Sequence, residues 1–180
     1  LKFMHAGLSV SLADLLYLMM AISDNTATNM LIRLAGFEAI NRVMRELGMT
    51  GSVLGRFMVG RLAVEGEQEN LATPLDYTRV VASLFDASAA SPASCAAMVA
   101  TLEKQYNARR IGRFVPDGAG WRWGSKTGSN TGVTNDAGFV EGPGGRMLIA
   151  VYCRDVPEPV EGEIMIAEIT RAAMRATGLI

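Results

Sequence analysis

Hydrophobic positions fall into two patterns along this chain. Through roughly the first two thirds they recur at helical spacing. Over the last third they come in short blocks separated by glycine-rich turns. Ser11-Leu12-Ala13-Asp14 reads as a capping box, a hydroxyl over the first turn answered by an acid three residues on. The following run, Leu15 to Ile22, is apolar on nearly every face and predicts a helix buried on all sides. It stops at Ser23-Asp24-Asn25-Thr26. Four polar residues after a buried helix are costly unless they are hydrogen-bonded or line a cavity. They fit the N-cap of the next helix, and equally a polar loop delivered into an active site; the two readings are compatible.

A second helix is predicted over Ala27 to Leu34, stopped by Gly36, and a third from about Glu38 to Leu47, stopped by Gly48. Ile40, Val43, Met44 and Leu47 have helical spacing and are expected in the core. From Met49 to Asn70 periodicity is lost. The charges there, Arg56, Arg61, Glu65, Glu67 and Glu69, are expected on a solvated loop. Thr73-Pro74 and Ser91-Pro92 each pair an N-cap with proline at the first helical position. The first of these helices should turn Tyr77, Val80, Val81 and Leu84 inward. The second should run to about Tyr106. Asn107 to Val115, with Arg109, Arg110 and Arg113, is basic and short and reads as a helical turn with a solvated face, a role in holding an anionic substrate being the secondary reading.

The tail changes period. Trp121 to Lys126, Ala137 to Val140 and Met147 to Tyr152 are strand candidates, the last two joined by a Gly142-Pro143-Gly144-Gly145 turn. Consecutive strands with tight turns make an antiparallel meander. A final amphipathic helix, about Glu161 to Ala176, would lay Ile164, Ala167, Ile169 and Ala172 on that sheet. The fold class is therefore α+β, a helical body followed by a three-stranded antiparallel sheet covered by a C-terminal helix. One domain is expected over 1–180, helical to about 118, with sheet and last helix from about 119.

Composition narrows the partners. The 180 residues are 49% hydrophobic and 19% charged, with a net charge of -1. This fits a globular chain and gives no indication of nucleic acid or an acidic membrane surface. No apolar run is long enough to span a bilayer. Cys95 and Cys153 sit among apolar neighbours and read as two buried thiols rather than a bridge. The chain opens at Leu1 without methionine or signal peptide, so a fragment is expected, with any targeting sequence upstream.

The available chemistry is limited. The one histidine, His5, lacks partners for a zinc site and reads as a surface or packing residue. No glycine loop has the context of a phosphate cradle, and no cofactor or metal is implied. A serine can instead be activated by lysine. Two stretches offer such a pair: the polar loop at Ser23, and Trp121-Arg122-Trp123-Gly124-Ser125-Lys126-Thr127-Gly128-Ser129-Asn130-Thr131-Gly132, which holds one of only three lysines. Glycines around Ser125-Lys126-Thr127 let backbone approach a ligand. A lysine flanked by hydroxyls suits a carboxylate.

Ser23-Asp24-Asn25 followed by Lys126-Thr127-Gly128 resembles the second and third motifs of the penicillin-recognising serine hydrolases, class A β-lactamases above all. The resemblance extends over essentially the whole chain: the capping box, the apolar helix, the Thr73-Pro74 helix start and the order of the strands. It implies a serine hydrolase acting on β-lactam amides through an acyl-enzyme. By position, Ser23 would relay a proton to the β-lactam nitrogen and Asn25 would bond the substrate amide and the catalytic lysine. Lys126 would support Ser23 and the substrate carboxylate, and Thr127 would offer its hydroxyl to that carboxylate. Gly128 and Ser129 would complete the substrate wall, the Ser129 N–H forming half of the oxyanion hole. Asp24 would brace the loop. The resemblance further implies a periplasmic or secreted protein and a small-molecule partner, a β-lactam or a D-Ala-D-Ala-like peptide.

Three departures qualify this. No Ser-x-x-Lys occurs in the 180 residues. The nucleophile and its lysine are expected upstream of Leu1, in a segment that would partner this chain, and the isolated chain is expected to be inactive. Aligning Arg56 and Thr73-Pro74 with the family pattern puts Met58 at the deacylating glutamate and Leu62 where an asparagine is common. The strand after Lys126 carries Thr134, Asn135 and Asp136 where many members have an arginine for the carboxylate. Two alternatives follow: a D-alanyl-D-alanine carboxypeptidase- or esterase-like enzyme that deacylates poorly, and a non-catalytic domain that senses β-lactam or peptidoglycan.

Overall fold

The computed structural model describes all of residues 1–180. The Ser11 capping box forms as the sequence predicts, with the Asp14 N–H donating to the Ser11 hydroxyl and the Ser11 N–H to the Asp14 carboxylate. It starts helix α1, Leu12–Tyr17. The apolar run then changes hydrogen-bonding pitch, and Leu18–Ile22 is a π-helical turn. Helix α2, Asn25–Ala35, is capped by the Asp24 carboxylate through the Ala27 N–H. It ends at Gly36, whose φ of 81° lets the chain turn directly into α3, Phe37–Glu46. Helices α4, Pro74–Phe85, and α5, Pro92–Leu102, begin at the two predicted Thr-Pro and Ser-Pro signals, with the cap hydroxyls in place. A 3₁₀ turn spans Ile111–Phe114.

Three strands follow, β1 Arg122–Asn130, β2 Val133–Gly142 and β3 Gly145–Arg154, in the order β1-β2-β3 and antiparallel throughout. Side chains alternate between the faces of β2. Phe139 points to one side, where it meets Val81, Val99 and Leu102 of α4 and α5. Val140 points to the other, into a core with Ile111, Met147, Cys153, Ile166 and Met174, closed by α6, Pro159–Ala176. The sheet is thus sandwiched between the helical body and the last helix, and the α+β reading holds. Gly162 lets α6 lie close on β2, because a Cβ there would stand 2.5 Å from that of Thr134. Both cysteines are free and buried, and no helix is long and apolar enough to cross a membrane.

Several expectations are corrected. The Leu15–Ile22 run is not buried on all sides. Only Leu15 and Ala21 are buried, while Leu16, Tyr17 and Ile22 are exposed, because this chain's own elements cover only one side of it. No residue of α3 is fully buried and Val43 faces solvent; that helix packs along a narrow edge on α2 and the loop after it. Helix α5 stops at Leu102, short of Tyr106, because the next residues cross to β1. Gly124 permits this: a Cβ on it would stand 2.8 Å from the Glu103 nitrogen. The strands run longer than predicted because glycine- and asparagine-containing ends are still paired in the ladder. In α6 the inward face is Glu163, Ile166, Ala167, Thr170 and Met174. Ile164 and Ile169 point outward, and only Ala167 of the predicted contacts faces in. The contact face is therefore rotated, bringing the Glu163 carboxylate beneath the sheet along with Ile166.

Candidate active site

Backbone geometry presents Ser23. The π turn adds a residue to the helical circuit, and both the Ser23 and Asp24 N–H groups donate to the Leu18 carbonyl. Ser23 itself is left-handed, at φ 62° and ψ 39°. Such strain in a non-glycine residue is maintained by its surroundings and concentrates at functional sites. Opposite stands β1, an edge strand. Lys126 Nζ donates to Ser23 Oγ at 2.7 Å and to the Thr127 carbonyl at 2.6 Å. Burial holds this ammonium below its ordinary value, at about 8, and Arg110 pushes it further down; only an ionised Asp136 would pull it back up.

A cavity of about 410 Å³ lies between these walls. Ser23, Asn25, Thr127 and Ser129 line it, so the two sequence motifs meet in one place. Asn25 is the first residue of α2, and its amide nitrogen lies near the Gly60 backbone. Gly128 differs from the others. A Cβ there would make only ordinary contact with Asn135, so what matters at this position is its carbonyl, which accepts from Arg110. Asp24 is engaged as the α2 cap, consistent with a bracing residue.

Arg110 is the residue that sequence reasoning misplaced. Far from facing solvent, it is 3% exposed. Its guanidinium donates to the Gly128 carbonyl at 2.9 Å, the Asn135 carbonyl at 2.6 Å and Ser129 Oγ at 2.6 Å. Behind it, Glu163 of α6 stands 3.5 Å from Arg110 Nε and 3.3 Å from Arg109 Nε, and accepts from Asn107 at 3.0 Å. One carboxylate thus supports two guanidinium groups, and no acidic side chain lines the cavity. Gln105 was also missed. Its amide nitrogen spans the Ser125 carbonyl, 3.2 Å, and the Met20 carbonyl, 3.4 Å, tying the π turn to β1. The adjacent Tyr106 N–H donates to the Ala21 carbonyl. The sequence sign of these roles was the polar and basic run from Gln105 to Arg110, between α5 and the 3₁₀ turn.

The loop between α3 and α4 is likewise organised rather than simply solvated. Arg56 forms a two-pronged pair with Glu69, at 3.0 and 2.8 Å, and Arg61 does the same with Glu67, at 2.7 and 2.8 Å. The two acids are held down at about 2, first by these arginine hydrogen bonds. Glu65 is exposed. The loop docks on α2 through Asn29, whose amide accepts from the Met58 N–H at 2.8 Å and donates to the Met58 carbonyl at 2.9 Å. Met58 is thus fixed one helical turn from Asn25, its sulfur accepting from Asn70.

The family model described as the beta-lactamase enzyme family matches residues 1–177. The crystal structure of a β-lactamase from Sphaerobacter thermophilus DSM 20745 superposes with a TM-score of 0.97 at 54% identity, over 99% of this chain and 67% of that one. An ancestral class A β-lactamase gives 0.84 at 29% identity, over 96% and 68%. The class A β-lactamase of Mycobacterium abscessus gives 0.84 at 26%, over 97% and 68%. The chain therefore spans about two thirds of the length of these relatives. No curated protein sequence matches it. With the Ser23 and Lys126 motifs facing one cavity and the family match running nearly end to end, the chain belongs to the beta-lactamase enzyme family.

Proposed function

We propose that this chain forms the substrate-holding and proton-relay part of a β-lactamase-like serine hydrolase, which opens β-lactam amides through an acyl-enzyme. The observation that carries this reading is the 2.7 Å contact between Lys126 Nζ and Ser23 Oγ. A serine from a Ser-x-x-Lys sequence outside these 180 residues attacks the carbonyl. As the C–N bond breaks, Ser23 hands its proton to the departing ring nitrogen and takes up in return the proton that the attacking serine gives up through the lysine of that Ser-x-x-Lys sequence. Lys126 favours that transfer by standing against the hydroxyl, and its positive charge attracts the substrate carboxylate. Asn25 bonds the substrate amide. Thr127 and Ser129 present hydroxyls to the carboxylate, and the Ser129 N–H contributes to the oxyanion hole. Arg110, reaching Ser129 from the α6 side, supplies the guanidinium that is absent from the strand after Lys126.

The test is covalent labelling of the full-length protein with a fluorescent penicillin, with peptide mapping, and hydrolysis of a chromogenic β-lactam. Labelling at a serine is expected; absence of labelling at any serine would sink the reading. By resemblance the protein works in the periplasm or outside the cell.

One observation favours slow release of the acyl group. Glu67 and Glu69 are engaged by arginines within their own loop, and Met58 stands where the family's deacylating glutamate is expected. Without a base to activate water, the acyl-enzyme persists, as in a carboxypeptidase- or esterase-like member with poor β-lactam turnover. Rapid steady-state hydrolysis would exclude this second reading while leaving the first intact.

A further inference from the structure

Four buried side-chain polar atoms have no hydrogen-bond partner: Arg110 Nε, Ser125 Oγ, Asn135 Oδ1 and Asp136 Oδ1. All four belong to the β1–β2 wall or to the arginine that grips it. Unpaired buried polar atoms are uncommon, and a cluster calls for a physical reason. Asp136 is the centre of this one. It is wholly buried and pairs in register with Thr127, so it shares the α6 face of the sheet with Ser125 and Thr127. One of its oxygens accepts a single hydrogen bond, from the Ile111 N–H at 3.2 Å. The other has no partner of full hydrogen-bond geometry, although the equally unpaired Ser125 hydroxyl is close enough to act on it, and the residue joins no ion pair.

An ionised carboxylate in that position would be poorly compensated, since buried charge needs close partners and several donors. The charged and titratable neighbours are Arg110 ahead of the 3₁₀ turn, Lys126 on β1 and Tyr152 on β3, while α6 directs Glu163 at Arg110. We infer that Asp136 is a positioning residue that acts in its uncharged form, fixing the Arg110–Ile111 corner while leaving the charges of Arg110 and Lys126 uncancelled for an anionic substrate. Ile111 follows Arg110 directly, so the Asp136–Ile111 bond sets where the guanidinium starts on its way to Ser129 and Gly128. Glu163 already faces both Arg109 and Arg110. With Arg109, Arg110 and Lys126 positive and Glu163 negative, a second negative charge at Asp136 would halve the net excess, from two to one, that attracts a carboxylate. Burial raises the Asp136 pKa, overcoming the downward pull of Ser125, the Ile111 N–H, Arg110 and Lys126, which is the direction this state requires. The inference rests on Lys126 to Ser129 being the carboxylate-holding wall.

The consequence is a proton bound by the folded protein and not by the unfolded chain. A raised folded-state pKa gives stability that is present below the ordinary value of 3.8 and is lost as pH rises through the folded value. The experiment uses the full-length protein and its Asp136→Asn variant. Infrared spectroscopy is expected to show a protonated-carboxyl band in the parent that disappears in D136N. Melting temperature, followed upward from pH 4, is expected to fall more steeply with pH in the parent than in D136N. No band, together with parallel melting profiles, overturns the uncharged state. The positioning role is read in Asp136→Leu. With Arg110 present, the concentration of fluorescent penicillin giving half-maximal acylation rises about tenfold. In an Arg110→Ala background the same change adds little. Additive losses in the double variant overturn positioning through Arg110. Failure of the penicillin to label the parent, with the infrared band present, overturns the proposed function and not the state of Asp136.

Discussion

Lys126 and Ser23 lie 103 residues apart in sequence, yet Lys126 Nζ stands 2.7 Å from Ser23 Oγ. The contact joins an edge strand to a strained turn, and no other side chain bonds the Ser23 hydroxyl. Lys126→Ala in the full-length protein is expected to slow acylation by about 10²–10³. Its melting temperature should change little, since the ammonium is partly desolvated and has no acid partner. Stopped-flow acylation and a thermal melt check this. Loss of rate and stability in equal measure would make Lys126 structural.

Acylation should depend on pH through the same lysine. Lys126 is held at about 8, chiefly by burial. On the proposed role of the ammonium toward an anionic substrate, apparent affinity should weaken as pH rises through about 8. Stability should move the opposite way. A cation with a depressed folded-state pKa contributes stability that is fully present above its ordinary 10.5 and lost as pH falls through about 8. A KM profile flat from pH 7 to 10 would refute the substrate role.

Arg110 tests the missing-arginine argument. Arg110→Lys keeps the charge but loses the planar fork that reaches Gly128, Asn135 and Ser129 together. KM should rise about tenfold while kcat changes less. Arg110→Ala additionally leaves the Gly128 and Asn135 carbonyls without that donor, while Glu163 keeps Arg109 and Asn107, and should cost about 1–3 kcal/mol in a denaturant titration. An unchanged KM in the lysine variant would leave Arg110 as a packing residue only.

Met58 offers a gain of function. Met58→Glu would place a carboxylate at a backbone position that Asn29 already fixes. The lifetime of the acyl-enzyme, followed by mass spectrometry, should shorten by at least about tenfold. No change would mean that release is limited by something other than the missing base.

Loop closure is testable separately. Arg56→Ala removes the two-pronged bond to Glu69, and exchange of backbone amides over residues 58–66 should speed up while α4 stays protected. Glu67 and Glu69 are depressed to about 2, first by their arginine partners. Their contribution is present above the ordinary 4.5 and is lost only as pH falls through about 2. Loop exchange, corrected for intrinsic rates, should therefore not change between pH 5 and 8.

Much of this protein was legible in its sequence because it depends on local chemistry. The Ser11–Asp14 box, the Thr73-Pro74 and Ser91-Pro92 starts and the Gly36 stop act within a turn of backbone, and each does what its residues predict. The α+β order follows from the change in period, and Ser23-Asp24-Asn25 with Lys126-Thr127-Gly128 indicated the site. Tertiary structure decided what depends on pairing between distant residues. Arg110 reads as solvated because nothing near it in sequence reveals Glu163, 53 positions on, or the carbonyls of β1 and β2. The inward face of α6 follows its docking on Thr134 through Gly162 rather than its isoleucines. Asp136 reads as an ordinary strand carboxylate until the fold buries it opposite Thr127 with one donor. Caps and stops are satisfied by neighbours a few residues away and so can be read from sequence. The charge state of a buried group depends on the partners that the fold brings to it.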